Sequence, residues 1–278
     1  GTVVARGLIR DHLPPDEALK ALALLTAAMG FTPVIAPVVG GYLASLLGMA
    51  AIFIVLALLG AGLLLLCVKS IPHDEPFDRD EDQATSLKGY LSLLHSLRFW
   101  GHAGAFGFLQ GMAFTLLATG SVLFQEQFGF SMEGFSLVWG SSALVYVFGS
   151  FLLSRLSSLG TSRWQHRTVL GMLLVSLSAP GLIAWQGLTL AAVVLPLFSS
   201  MLLSGILTPT TMNGAVNSVP RWSGSAAGLS SSVGMTMAGL FSWLGATLYE
   251  TEPKLIMVCF GGAGIGFVLC WWLTHREG

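Results

Sequence analysis

The chain has 278 residues, 54% of them hydrophobic and only 10% charged, and its mean hydropathy is +0.76. Soluble domains carry about 25% charged residues, so this composition excludes a water-exposed globular protein and predicts an integral membrane protein. The formal net charge of −1 offers no case for nucleic-acid binding.

The chain opens with Gly1 and has no ordered basic, apolar and small-residue regions of a signal peptide. Its first apolar residues are cut short, which predicts a fragment that begins inside a membrane helix whose tail ends near Ile9. Apolar stretches of the roughly 20 residues that a membrane helix needs then follow at 21–44, 49–68, 99–121, 134–154, 168–186, 188–211, 225–248 and 255–273. These long continuous runs exclude a membrane β-barrel, whose strands read as short alternating segments. The predicted fold is therefore an all-α, polytopic membrane helix bundle.

The first full span holds GFTPVIAPVVGG (Gly30–Gly41). A proline inside a water-exposed helix costs about 3 kcal/mol, because it removes a donor and clashes with the preceding turn. Membrane helices tolerate it where neighbours re-satisfy the backbone. Pro33, Pro37 and Gly41 recur at four-residue steps, with Gly30 and Ala44 on the same face. One side of this helix is thus side-chain-poor and bend-prone, as a close-packed joint in a rocking machine requires, and it points to transport.

After the second span comes the one long hydrophilic segment, 70–97. Its acidic run Asp74–Asp82 lacks the spaced ligands and glycine turn of a calcium loop and reads as a solvated linker. Leu87 to Leu97 predicts a short amphipathic helix along the membrane surface. The expected organisation is a partial N-terminal half (1–69), a central linker (70–97) and a C-terminal six-helix half (98–278).

Charge alternates across these spans. Arg6, Arg10, Lys20, Lys69, Arg79, Lys88, Arg98, Arg155, Arg163, Arg167, Arg221 and Arg276 fall on one side, and Lys254 alone on the other. The positive-inside rule assigns the first side to the cytoplasm, together with the C-terminus. Trp164, Trp185, Trp222, Trp271 and Trp272 mark span ends, where aromatic belts form. Cys67, Cys259 and Cys270 all lie in apolar spans, which argues against disulfides, and the six histidines lack ligand spacing, so no metal is expected. No nucleophile–base pair appears, so the chain is not expected to be an enzyme.

Four segments carry a family likeness: ARGLIRD (Ala5–Asp11), GFTPVIAPVVGGYL (Gly30–Leu43), FQEQFGFSMEGFSLVWG (Phe124–Gly140) and AAGLSSSVG (Ala226–Gly234). In this order they resemble the fourth-helix ending, the fifth-helix antiporter motif, the loop between helices seven and eight, and the opening of helix eleven in the bicyclomycin-resistance (Bcr/CflA) branch of the major facilitator superfamily. The chain departs from that branch at Ser121, which is followed by Val122 where a proline is usual, and its loop after helix eight keeps Arg155, Arg163 and Arg167 without a clear acidic partner.

The resemblance implies a six-plus-six bundle, seen from the tail of helix four through helix twelve. It implies a monomeric drug/proton antiporter of the bacterial inner membrane, moving small drug-like or metabolite molecules with the proton as coupling ion and no cofactor. Gly30, Pro33, Ala36, Pro37, Gly40 and Gly41 become the gating motif, expected to pack against Gly140–Val147, and Arg6, Arg10 and Asp11 a cytoplasmic latch. Small-residue faces at Gly140, Ala143, Val147 and Ser154, and at Gly224, Gly228, Ser231, Ser232 and Gly239, are further gating elements. The candidate substrate-binding residues are Gln110, Thr115, Trp139 and Tyr146, with Thr208, Thr211 and Asn213 behind them. Asn213 and Asn217 are expected to cap a helix end. All 14 acidic residues lie at or beyond span ends, so a coupling carboxylate is expected in the first helices, outside this chain. A sugar or amino-acid uniporter or importer of the same fold, and a non-transporting membrane fragment, remain open as alternatives.

Overall fold

The structure is a computed structural model that describes residues 17, 32, 35–70, 93–157, 163–219 and 222–274. Among them there is no strand. The long elements are α1 (Ile35–Leu47), α2 (Met49–Ser70), α3 (Leu97–Phe128), α4 (Met132–Ser157), α5 (Arg163–Gln186), α6 (Leu190–Ser218), α7 (Ser223–Thr251) and α8 (Leu255–Leu273). All but α1 and α7 are long and apolar enough to cross a bilayer. The described part of α1 is short, and the Gly/Ser-rich start of α7 dilutes its hydropathy. The Leu87–Leu97 surface helix falls mostly outside the described residues.

Several helices overrun the predicted spans. α3 has 32 residues and α6 has 29. Gln125–Gln127 and Asn213–Ser218 are polar, yet they continue the helices, because intrahelical hydrogen bonds do not need apolar side chains. On the side away from the basic residues, the connections are tight and close on glycine. Gly48, between α1 and α2, has φ +80°, and Gly129, after α3, has φ +69°. The Gly129 and Phe130 N–H groups return to Gln125 O (3.2 Å) and Phe124 O (3.0 Å), which ends α3 in a Schellman-type turn. The Phe124 ring then meets Phe128, Phe130 and Phe135 at 5.4–5.6 Å between centroids. This aromatic cluster closes the α3–α4 hairpin and gives the Phe124–Gly140 segment a structural role.

α3 is the central helix and packs against α6, α7 and α8. Glycines let its neighbours come close. A Cβ at Gly104 would lie 2.9 Å from Cys270 Sγ, one at Gly107 2.9 Å from Met237 Cγ, and one at Gly111 2.7 Å from the Phe241 ring. Between these seams the buried side chains Leu109, Met112, Leu116, Met172, Leu197, Phe260 and Phe267 fill the interior. α2 is apolar on every side, and no described helix covers it.

Two internal prolines show how the bundle repairs its backbone. Pro209 cannot supply the N–H that would bond Gly205 O, four residues earlier. The Ser150 hydroxyl of α4 donates to that carbonyl instead, at 2.9 Å. This is possible because Gly149 and Gly205 sit backbone against backbone, leaving no room for a Cβ on either. Pro180 likewise deprives Ser176 O of its donor, and Gly261 of α8 lies directly over that carbonyl.

Ser150→Ala should destabilise the bundle by about 1 kcal/mol, because the Gly205 carbonyl loses its donor. In a Pro209→Ala background, where an N–H returns to that carbonyl, the same change should cost clearly less. A double-mutant cycle of unfolding in detergent micelles reads the difference.

Candidate functional site

The joint predicted from the Gly30–Gly41 segment is described from Ile35 onward. Gly30 and Pro33 lie outside the described residues, as do Arg6, Arg10 and Asp11. Gly41 is buried, Pro37 and Gly40 are half-buried, and Ala36 is exposed. A Cβ on Gly41 would collide with the Ser136 side chain of α4 and come within 3.6 Å of Met132 O. The Ser45 hydroxyl, one turn on, lies within hydrogen-bonding reach of the half-buried Glu133 carboxylate. The contact therefore falls one turn before the expected Gly140–Val147 stretch. α1 and α4 meet at the end where Gly48 turns the chain, so Gly41 faces the first turns of α4.

α4 starts firmly there. The Ser131 hydroxyl accepts from Gly134 N–H at 3.1 Å, and Glu133 places a negative charge in the first turn, where the helix dipole favours it. Ala143 of the predicted small-residue face is buried, while the side chain of Ser154 lies outside the description. On α7, Gly224, Gly228 and Gly239 have no described neighbour within 4 Å of a Cβ. That stripe does not pack inside the bundle and stands open to whatever covers this side.

The four candidate substrate residues are not gathered into one cavity. Gln110 is half-buried on α3, and no described residue takes a hydrogen bond from its amide. Thr115 is fully buried, its hydroxyl bonded to Gly111 O at 2.8 Å and set 3.9 Å from Cys259 Sγ. It packs against α8, which corrects its expected cavity-lining role. Trp139 is 8% exposed and extends the aromatic cluster through Phe135, so it serves packing. Tyr146 of α4 is half-buried, and its hydroxyl lies within reach of Thr208 of α6. Thr211 is buried and bonds back to Leu207 O at 2.9 Å.

A cavity opens at the opposite, basic end. A cavity of about 750 Å3 is bounded by the starts of α3 and α5 and the ends of α4, α6 and α8. It includes Arg98, His102, Trp164, Asn213 and Asn217. Asn217 donates to Asn213 Oδ1 at 3.2 Å, so these amides form a pair facing the cavity and are not helix caps. Sequence reasoning assigned Arg98 to topology and passed over His102. The available signal was spacing: Arg98/His102 and Asn213/Asn217 are each four apart, on one face of their helices. Among the described residues, no group of three or more His, Cys, Asp or Glu is placed to hold a metal ion.

Gly41→Leu should drive α1 off α4. Its expected cost is about 1–3 kcal/mol. The check is disulfide crosslinking between Ser45→Cys and Glu133→Cys, which should form readily in the parent and fall sharply in the leucine variant.

Comparison with known proteins gives this architecture its relatives. The family profile described as Major Facilitator Superfamily matches residues 1–242. The uncharacterized MFS-type transporter YdgK of Bacillus subtilis is 26% identical over 282 residues, covering 100% of this chain and 70% of its own length. The bicyclomycin resistance protein homolog of Haemophilus influenzae is 23% identical, covering 99% of this chain and 70% of its own length. The multidrug resistance protein D of Escherichia coli is 25% identical, covering 98% and 68%. With a family match over most of its length and a bundle of apolar membrane-crossing helices, the chain belongs to the major facilitator superfamily, a family of membrane transporters and not of enzymes.

Proposed function

We propose that the protein exports small drug-like or metabolite molecules in exchange for protons, by alternating access, as a monomer in the bacterial inner membrane with its basic end in the cytoplasm. The observation that carries this reading is the seat of Gly41 on Ser136. Two helices of opposite direction meet there with glycine on one side of the contact, and Pro37 lies a turn away. Such a contact lets two helix groups tilt while staying close. The names of two relatives, a bicyclomycin resistance protein homolog and a multidrug resistance protein, support the direction of transport.

Gln110 is the residue of this chain best placed for substrate. Its amide stands on a mostly apolar helix without a described partner, and it is accessible on the flank of α3 that also carries the exposed Leu117. A primary amide there needs water or a ligand. The proton acceptor is a different matter. Glu126, Glu133, Glu250 and Glu252 sit at the helix ends on the side of Lys254, opposite the other described basic residues, so the described spans hold no carboxylate at mid-depth. Proton exchange then places the titrating group elsewhere in the working transporter. The same fact favours the second reading, a uniporter of sugars or amino acids, which needs no such group.

Efflux of a fluorescent drug from cells expressing the protein separates the two. Collapse of the proton gradient should abolish outward pumping if exchange operates. Downhill equilibration that survives the collapse unchanged would favour the uniporter. Gln110→Leu should raise the KM for transported substrate about tenfold at unchanged membrane expression, as expected for one lost hydrogen bond to a ligand. Equal loss of expression and transport would assign Gln110 to folding.

A further inference from the structure

The cavity at the basic end is not needed for the joint between α1 and α4, and it does not rest on the transport reading. We propose that it is a binding site for a phosphate-bearing ligand. Its walls come from α3, α4, α5, α6 and α8, so it lies within the six-helix set. Its volume of about 750 Å3 falls in the range of small-molecule sites.

Its chemistry is one-sided. Arg98 brings a guanidinium, and among the described residues no acidic side chain lines the cavity. The described acids of α3 to α8 and their turns, Glu126, Glu133, Glu250 and Glu252, are all at the far end of the bundle. Arg163 and Arg167 of α5 add positive potential at the same end. The lining also supplies neutral donors: Gln165 and the amide pair, in which Asn213 keeps its own NH2 after accepting from Asn217, while the Thr210 and Thr274 hydroxyls donate to Ile206 O and Trp271 O. A phosphate has enough oxygens to use a forked guanidinium and several amides at once.

One wall is fixed, while Arg98, Asn213 and Asn217 stand exposed at the mouth. His102 is 9% exposed and stands edge-on to Trp271, with ring centroids 5.9 Å apart. Gly214 lies so close beneath that ring that a Cβ would come within 2.5 Å of it. The imidazole is thereby held in one place at the cavity wall. Arg98 is one turn earlier on α3, in a first turn ordered by Ser96, whose hydroxyl accepts from Phe99 N–H at 3.1 Å. Trp164 offers an apolar wall for the body of the ligand. A soluble phosphate ester and an anionic phospholipid headgroup share this chemistry, and the cavity opens where either can enter.

The test uses the whole chain in nanodiscs of phosphatidylcholine alone or of phosphatidylcholine with phosphatidylglycerol. Inorganic phosphate is titrated against chloride at matched ionic strength, with tryptophan fluorescence and thermal unfolding as readouts. A saturable phosphate effect in phosphatidylcholine discs supports a soluble ligand. Stabilisation that appears only with phosphatidylglycerol, and that phosphate then competes away, supports a headgroup. Arg98→Gln should weaken either effect about tenfold, as should Asn213→Leu, which fills the cavity without touching a charge. Arg167→Gln, an exposed cation outside the lining, should leave it unchanged. No phosphate or phosphatidylglycerol effect in either disc overturns the proposal. So does an equal loss in Arg98→Gln and Arg167→Gln, which marks diffuse surface charge.

Discussion

Between lipid chains there is little hydrophobic reward for bringing two apolar helices together, so association rests on how closely their backbones approach. The bundle meets this constraint by placing glycine wherever α3 faces a partner. Gly101 and Gly104 admit α8, and Gly107 and Gly111 admit α7. The same device recurs at Gly149 and Gly205 between α4 and α6, and at Gly261 and Gly264 between α8 and α5. Close approach then allows the other stabilising contacts: Phe108 lies on Gly266, Phe106 on Gly234, and Cys270 against Gly104.

Close approach also explains why prolines are tolerated. A missing N–H leaves a bare carbonyl, which in lipid costs free energy unless another group reaches it. At Pro209 the substitute is a serine hydroxyl from another helix, and it reaches only because the two glycines let α4 and α6 touch. At Pro180 the neighbouring helix covers the carbonyl with a glycine. Bends of this kind are fixed by partners. The bend-prone face of α1 differs: it meets α4 at Gly41, glycine against the Ser136 side chain. Fixed bends inside the six-helix set and a glycine contact at its edge suit a body that moves as a unit against another.

Much of this was legible in the sequence. The long apolar runs located the described helices, because a bilayer crossing needs about 20 apolar residues in succession. The helix ends were less legible, since polar residues such as Gln125 and Asn217 continue a helix once it has begun. Gly41 was readable as a close-contact residue from its spacing to Pro37, but its neighbour is Ser136, one turn before the expected Gly140–Val147 stretch. Trp139 and Thr115 misled for a common reason. Polar and aromatic groups inside a span satisfy themselves either on water or on the protein, and sequence does not distinguish Thr115 bonded to Gly111 O from a threonine facing a cavity. The basic-end cavity needed five helix ends brought together, and no local pattern encodes that convergence.

The tight turns carry one more consequence. α1–α2, α3–α4, α5–α6 and α7–α8 are each joined by only a few residues on the same side of the bundle. Each pair can therefore enter the bilayer as a hairpin. Yet α3 packs chiefly on α7 and α8, and α4 on α6, so the partners within a hairpin are not the principal contacts. Insertion and assembly are then separate events in time. The early hairpin must remain in lipid with its glycine-lined faces for α7 and α8 uncovered until the last pair of helices has been made, and α3 finds its principal neighbours only when synthesis of α8 is complete.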